Sequence, residues 1–203
     1  MKKIFVIVIL MLMSFGIHAQ DQKEEKSQSF NRQRLFTGGD LNLGFSSIAT
    51  NLGISPVFGY SVSNWADAGV TLNFNYLSQR DYQTDGDKLR QTIIGPGVFV
   101  RLFPINFLFG TAQYEYNFMR YKYIPAIGPS TSNDIYHINA PSLLLGIGYA
   151  GGRVSGSNTY YYFSISWDVM RDQNSPYVDV HGREIPVIRA GYNIGLFQGK
   201  RNY

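Results

Sequence analysis

Asp40, Asp67, Arg101, Glu115, Asp168 and Arg189 stand out by where they fall, not by a motif. Each interrupts a stretch in which large apolar residues alternate with Gly, Ser and Asn. Carboxylates and guanidinium groups drawn into one enclosure could relay protons or ions. They could equally neutralise one another as ion pairs and hydrogen bonds that satisfy buried polar groups. The second reading is the simpler one. It makes Asp67, Arg101, Glu115, Asp168 and Arg189 a lumen polar network.

Other candidate chemistry is sparse. Beyond the first nineteen residues the histidines are His137, near Asp134, and His181, near Asp179. Both fall in segments read as loops, where a surface metal site is conceivable but solvated histidine is the blander account. His137 with Ser130, Ser132 or Asp134 could form the site of a loop-based lipid-modifying enzyme on an outer-membrane barrel, though the spacing is not specific. Gly146-Ile147-Gly148 follows no strand-to-helix turn, so it is not a phosphate cradle. With no cysteine in the chain there is no disulfide, thiolate metal site or cysteine nucleophile. We therefore assign no catalytic, cofactor-binding or metal-binding residue, and expect a non-enzyme without cofactor.

The elements that must position these charges are strands. Ala68, Val70, Leu72, Phe74 and Tyr76 alternate with Asp67, Gly69, Thr71, Asn73 and Asn75, and the same period of two recurs in eight segments from Leu41 to Leu196. Each is about ten residues long. Short links near Ser63-Asn64-Trp65, Pro104-Ile105-Asn106 and 151–157 alternate with long ones at 78–90, 120–139 and 170–185. The long connections carry Tyr82, Tyr121, Tyr123, Tyr136 and Tyr177 and suit docking to another envelope protein.

The named charges all share the small-residue face, and the aliphatic face carries none. Only 16% of residues are charged and 15% are aromatic, so neither face offers a charged coat for water. That pattern predicts an eight-stranded antiparallel up-and-down transmembrane β-barrel with a greasy outside and a polar, filled interior. Trp65, Tyr76, Tyr116, Tyr149 and Trp167 fall near the two rims as interface aromatics. Arg189, Gly191, Ile194 and Leu196 have the spacing of a terminal-strand signal for outer-membrane insertion machinery. Folding strands three and four about Gln83-Thr84 sets Asp67 opposite Arg101, which predicts an ion pair.

Met1-Lys2-Lys3, the apolar run Ile4–Met13 and Ala19 read as a secretory signal peptide over residues 1–19. Residues 20–34 read as a polar periplasmic tail and 35–203 as the barrel. Loss of Lys2 and Lys3 takes Lys plus Arg from 18 to 16 against 14 Asp plus Glu. Nucleic acid is therefore not an expected partner. The expected surroundings are outer-membrane lipid and lipopolysaccharide.

The leader ending His18-Ala19-Gln20, the stretch LNLGFSSIATNLGISPVFGYSV from Leu41 and the strand AGVTLNFNY from Ala68 resemble small outer-membrane β-barrel proteins of Bacteroidota. These are similar in architecture to the OmpX and OmpA barrel domains. The resemblance spans Phe36 to Leu196 and implies the fold. Chains of this kind are sometimes labelled a ketoglutarate decarboxylase, but the length and a diphosphate-binding motif that such an enzyme needs are missing. The resemblance carries no active-site residues.

Overall fold

The computed structural model describes residues 30–45, 49–81, 85–127, 135–154, 157–178 and 183–197, with backbone alone at 43–45, 49 and 51. The expected leader over 1–19 and most of the tail over 20–34 lie outside these residues. The end of that tail is ordered as a 3-10 turn, Arg32–Arg34. Arg34 donates to the Val62 carbonyl at 3.0 Å, and its own carbonyl accepts from Asn158 Nδ2 at 3.1 Å.

Eight strands follow: β1 Leu35–Phe45, β2 Ala49–Ser63, β3 Ala66–Arg80, β4 Lys88–Ile105, β5 Leu108–Ile124, β6 Ile135–Gly151, β7 Tyr160–Asp168 and β8 Val187–Gly195. Each pairs antiparallel with the next, and β8 pairs with β1, so the sheet closes on itself. Closure removes the free edges that an open sheet of this size would present. The strand ends at Ser63 and Ala66, Ile105 and Leu108, and Gly151 and Tyr160 lie at one end of the sheet with Leu35 and Gly195. Those at Phe45 and Ala49, Arg80 and Lys88, Ile124 and Ile135, and Asp168 and Val187 lie at the other. We call these the turn end and the loop end.

Strands β2 to β6 are 15 to 18 residues long, well over the expected ten. About half of what reads as loop at 78–90 and 120–139 is ladder, continuing to Arg80↔Lys88 and to Lys122↔Ile135. The physical reason is an exchange of polarity between faces. Outward positions change from Phe74, Ile94 and Phe118 to Arg90, Arg120 and Lys122. Inward positions change from Asn73 and Glu115 to Ile93, Met119 and Ala140, packed against Tyr121 and Ile138. The period of two persists, but its apolar phase flips, which hides it from a reading by hydropathy.

The wall needs glycine where strands crowd the lumen. A Cβ on Gly59 would stand 2.3 Å from the Phe36 ring, and one on Gly146 would stand 2.2 Å from the Ile165 carbonyl. Both clashes exclude a side chain at the existing spacing.

Candidate functional site

Every charged residue that the alternation assigns inward is inward. Asp67, Glu115 and Asp168 are fully buried, and Asp40, Arg101 and Arg189 nearly so. Their partners differ by level along the barrel.

At the turn end, Phe103, Phe109, Ala150, Tyr160 and Tyr162 form one cluster beside Phe36, Val57 and Phe99. Asp67 and Arg101 are ladder partners, as expected. The expected ion pair between them does not form. Tyr160 stands between: its hydroxyl donates to Asp67 Oδ2 at 3.1 Å and accepts from Arg101 Nη1 at 3.4 Å. The Arg101 guanidinium stacks instead on aromatic faces, 4.2 Å from the Tyr162 ring centroid and 4.7 Å from that of Phe99. The cation near Asp67 is Arg153, from the β6–β7 connection, at 3.7 Å. Ser61 Oγ donates to the same carboxylate at 2.7 Å. Arg153 also lies 3.7 Å over the Phe103 ring and donates to the Asn64 carbonyl.

Glu115 is the hub of the middle level. Arg189 Nη2 donates to its Oε1 at 2.8 Å, Gln113 donates to the same oxygen, and the Tyr177 hydroxyl donates to Oε2 at 2.7 Å. Arg189 Nε also lies 3.7 Å from Asp40, whose other oxygen accepts from the Tyr162 hydroxyl at 3.0 Å. Asn73 Nδ2 donates to Tyr177, and Ser55 donates to Asn73. Tyr177 comes from the β7–β8 connection, so that segment folds back into the barrel. Burial first, and then the Glu115 carboxylate, push the Tyr177 phenol well above its ordinary pKa, against the opposing pull of Arg189.

Asp168 works without a cation among the described residues. Its oxygens accept from Leu143 N at 3.0 Å, Met170 N at 3.1 Å and Ser175 Oγ at 2.6 Å. Ser175 in turn touches Ser142, which accepts from Asn117. A carboxylate with that many donors is stabilised by hydrogen bonds alone.

This arrangement can fix the barrel's shape but offers little passage. The space enclosed among Asp40, Arg101, Gln113, Tyr162 and Arg189 is about 10 Å³, close to the minimum for one water. A cavity of about 680 Å³ lies nearer the loop end, lined in part by Asn42, Asn75, Gln91, Ile93 and Tyr177. Beside it the β1–β8 ladder stops at Leu41↔Ala190.

The expected interface aromatics all face outward. Tyr76, Tyr116 and Trp167 are 38–40% exposed, Tyr149 47% and Trp65 61%. The loop tyrosines are a correction. Tyr177 is buried in the lumen, Tyr121 accepts from Gln91 at 2.8 Å and Tyr123 donates to Asp87 at 3.0 Å. Only Tyr136 of the described loop tyrosines is open to a partner, and Tyr82 lies outside the described residues. His137 is exposed on β6, while His181, Asp134, Asp179, Ser130 and Ser132 lie outside the described residues. Among the described residues no group of three or more His, Asp or Glu side chains is placed to hold a metal ion.

Arg153, Tyr160, Tyr162, Ser175 and Tyr177 are among the network members that sequence reasoning missed. Parity could have found Tyr160, which shares the inward phase of Tyr162 and Asp168. Neither Arg153 nor Tyr177 lies in an alternating segment, so neither carried a signal. No protein-family model and no curated protein matches the chain.

Proposed function

We propose that the chain is an integral outer-membrane β-barrel with a plugged lumen, non-enzymatic, serving envelope structure or surface contact. The observation that carries this reading is the inversion of polarity along the wall. Over the lower barrel the outward residues are apolar and open, with Ile54 and Val70 53% exposed, Val98 55% and Ile147 60%. An apolar surface that encircles the barrel would be far larger than water tolerates on a monomer. The charges on those same strands are turned inward, the arrangement that hydrocarbon favours. Above the row Tyr76–Thr92–Arg120–His137 the outward face carries Arg90, Lys122, Arg80 and Lys88, while the inward face mixes Leu77, Leu89, Tyr121 and Tyr123 with Gln79 and Gln91.

That exchange supports a bilayer around the lower barrel and water around the upper hairpins. The leader supports export, and the terminal-strand pattern supports handling by the insertion machinery. The filled interior supports a structural role over a channel.

The test is fractionation with gel mobility. The expected protein floats with outer-membrane vesicles, resists carbonate extraction and migrates faster on a detergent gel unboiled than boiled. Recovery in a soluble fraction with unchanged mobility would overturn the reading.

A further inference from the structure

The upper wall presents cations in an unusual arrangement. The outward row nearest the apolar band holds Tyr76, Thr92, Arg120 and His137, the next Ser78, Arg90, Lys122 and Ile135, and the last Arg80, Lys88 and Ile124. Arg80 is the direct ladder partner of Lys88, and Arg90 that of Lys122. Like charges directly opposite on one face destabilise a sheet. No described carboxylate forms an ion pair with any of these side chains, and none has an interaction left unaccounted for. Asp81 and Asp85 are both exposed in the β3–β4 turn. Asp81 is engaged with the Gly86 backbone N–H at 2.7 Å. The buried Asp87 faces the lumen and accepts from Tyr123.

Directly below the cations, on the same strands, the outward face reads Phe74, Ile94 and Phe118, then Leu72, Pro96 and Tyr116. Charge and grease are therefore continuous over one patch. The Arg and Lys stems can lie along the aromatics while their heads reach the polar layer.

We propose that Arg80, Lys88, Arg90, Arg120 and Lys122 form a binding site for the phosphate groups of an acylated membrane lipid, with its chains along Leu72, Phe74, Ile94 and Phe118. A phosphate between Arg90 and Lys122 converts a repulsive cross-strand pair into two charge-assisted hydrogen bonds. Arg120 adds a third donor one row lower. A free phosphate would meet the same cations but leave the apolar rows unused, and a soluble polyanion would gain nothing from their contiguity. A multiply phosphorylated, acylated headgroup engages both halves. The inference rests on the membrane-barrel reading, whose own test is flotation and heat-modifiable mobility.

The experiment uses the folded protein in dodecyl maltoside, first checked by that mobility shift. Its unfolding temperature is followed while diphosphoryl lipid A, monooleoylglycerol or inorganic phosphate is titrated in, at low and high salt. We expect saturable stabilisation by lipid A, weakening with salt, and little by either other probe. Arg90→Gln, Arg120→Gln and Lys122→Gln should each weaken lipid A binding about fivefold, equivalent to ~1 kcal/mol per cation near an anionic surface. Arg32→Gln, at the other end of the barrel, should leave it unchanged. Equal stabilisation by monooleoylglycerol, equal effect of inorganic phosphate, or a triple variant that binds as wild type would each overturn the site. A heat-modifiable barrel with any of those results loses this inference alone, whereas a protein without the mobility shift loses the membrane reading itself.

Discussion

Asp67 and Arg101 face each other in the β3–β4 ladder, yet the link between their side chains runs through the Tyr160 hydroxyl from the far side of the barrel. Arg101 reaches past its ladder partner to the faces of Tyr162 and Phe99, and Arg153 supplies the positive charge near the carboxylate. In a lumen this narrow, the nearest group across the barrel competes on equal terms with the nearest group along the sheet.

Coupling energies should follow that geometry. In double-mutant cycles on urea unfolding, Asp67→Asn is expected to couple more strongly with Arg153→Gln than with Arg101→Gln. The weaker coupling should vanish in a Tyr160→Phe background, because the shared hydroxyl carries it. Tyr160→Phe alone should cost about 1–3 kcal/mol, the penalty for leaving a buried acceptor short of a donor. Coupling to Arg101 that matches coupling to Arg153 and survives loss of the hydroxyl would mean that the two charges meet directly.

Glu115 and Arg189 do meet directly, across 74 positions of sequence. Glu115→Gln should cost about 3–5 kcal/mol, since Arg189 would keep only the more distant Asp40 as an anion. Replacing both, with Glu115→Gln and Arg189→Gln, should cost much less than the two single effects together. Simple additivity in chemical unfolding would show that the pair contributes nothing beyond its separate side chains.

Alkaline pH tests the buried Tyr177 phenol. An unfolded tyrosine titrates near 10, whereas burial beside Glu115 holds Tyr177 protonated well beyond that. Between those two values the folded state binds the extra proton, so this residue's contribution to stability is intact below about pH 10 and is lost as pH rises further. Tyr177→Phe cannot lose that proton. Its urea midpoint should fall less steeply than that of wild type above pH 10, and parallel profiles would place Tyr177 in solvent.

How much of this was legible follows from what period two can encode. Parity alone placed Asp67, Arg101, Glu115, Asp168 and Arg189 inside, because a strand residue has only two faces to choose from. Folding about Gln83 and Thr84, from which 67 and 101 are about equally far, placed Asp67 across from Arg101, because a hairpin conserves the sum of paired positions. Alternation is silent about segments that do not alternate, so Ser175 and Tyr177, which fold back under the loop end, read as surface loop. It is equally silent about Arg153, which enters the lumen from a connection. The upper ends of β3 to β6 were missed for a different reason. Their outward residues turn from Phe and Ile to Arg and Lys where their inward residues turn from Asn and Glu to Ile and Met, and a search for one apolar face stops there.

Conductance is the last expectation, and the position of the seal decides it. Two barriers lie in series: the hydrogen-bonded insert of Ser175 and Tyr177 near the middle, and the aromatic layer of Phe103, Phe109, Tyr160 and Tyr162 at the turn end. Wild type should therefore give no steady single-channel steps in planar bilayers. Tyr177→Ala should also stay closed, because Phe109 lies 6.2 Å from Tyr162 in an edge-to-face pair that the insert does not touch. Removing rings from the lower layer, as in Phe109→Ala with Tyr162→Ala, should be needed before steps appear. That variant loses packing and costs several kcal/mol, so its folded state is checked by the mobility shift before recording. Steps from Tyr177→Ala alone would make the folded-back segment the sole seal and the aromatic layer permeable.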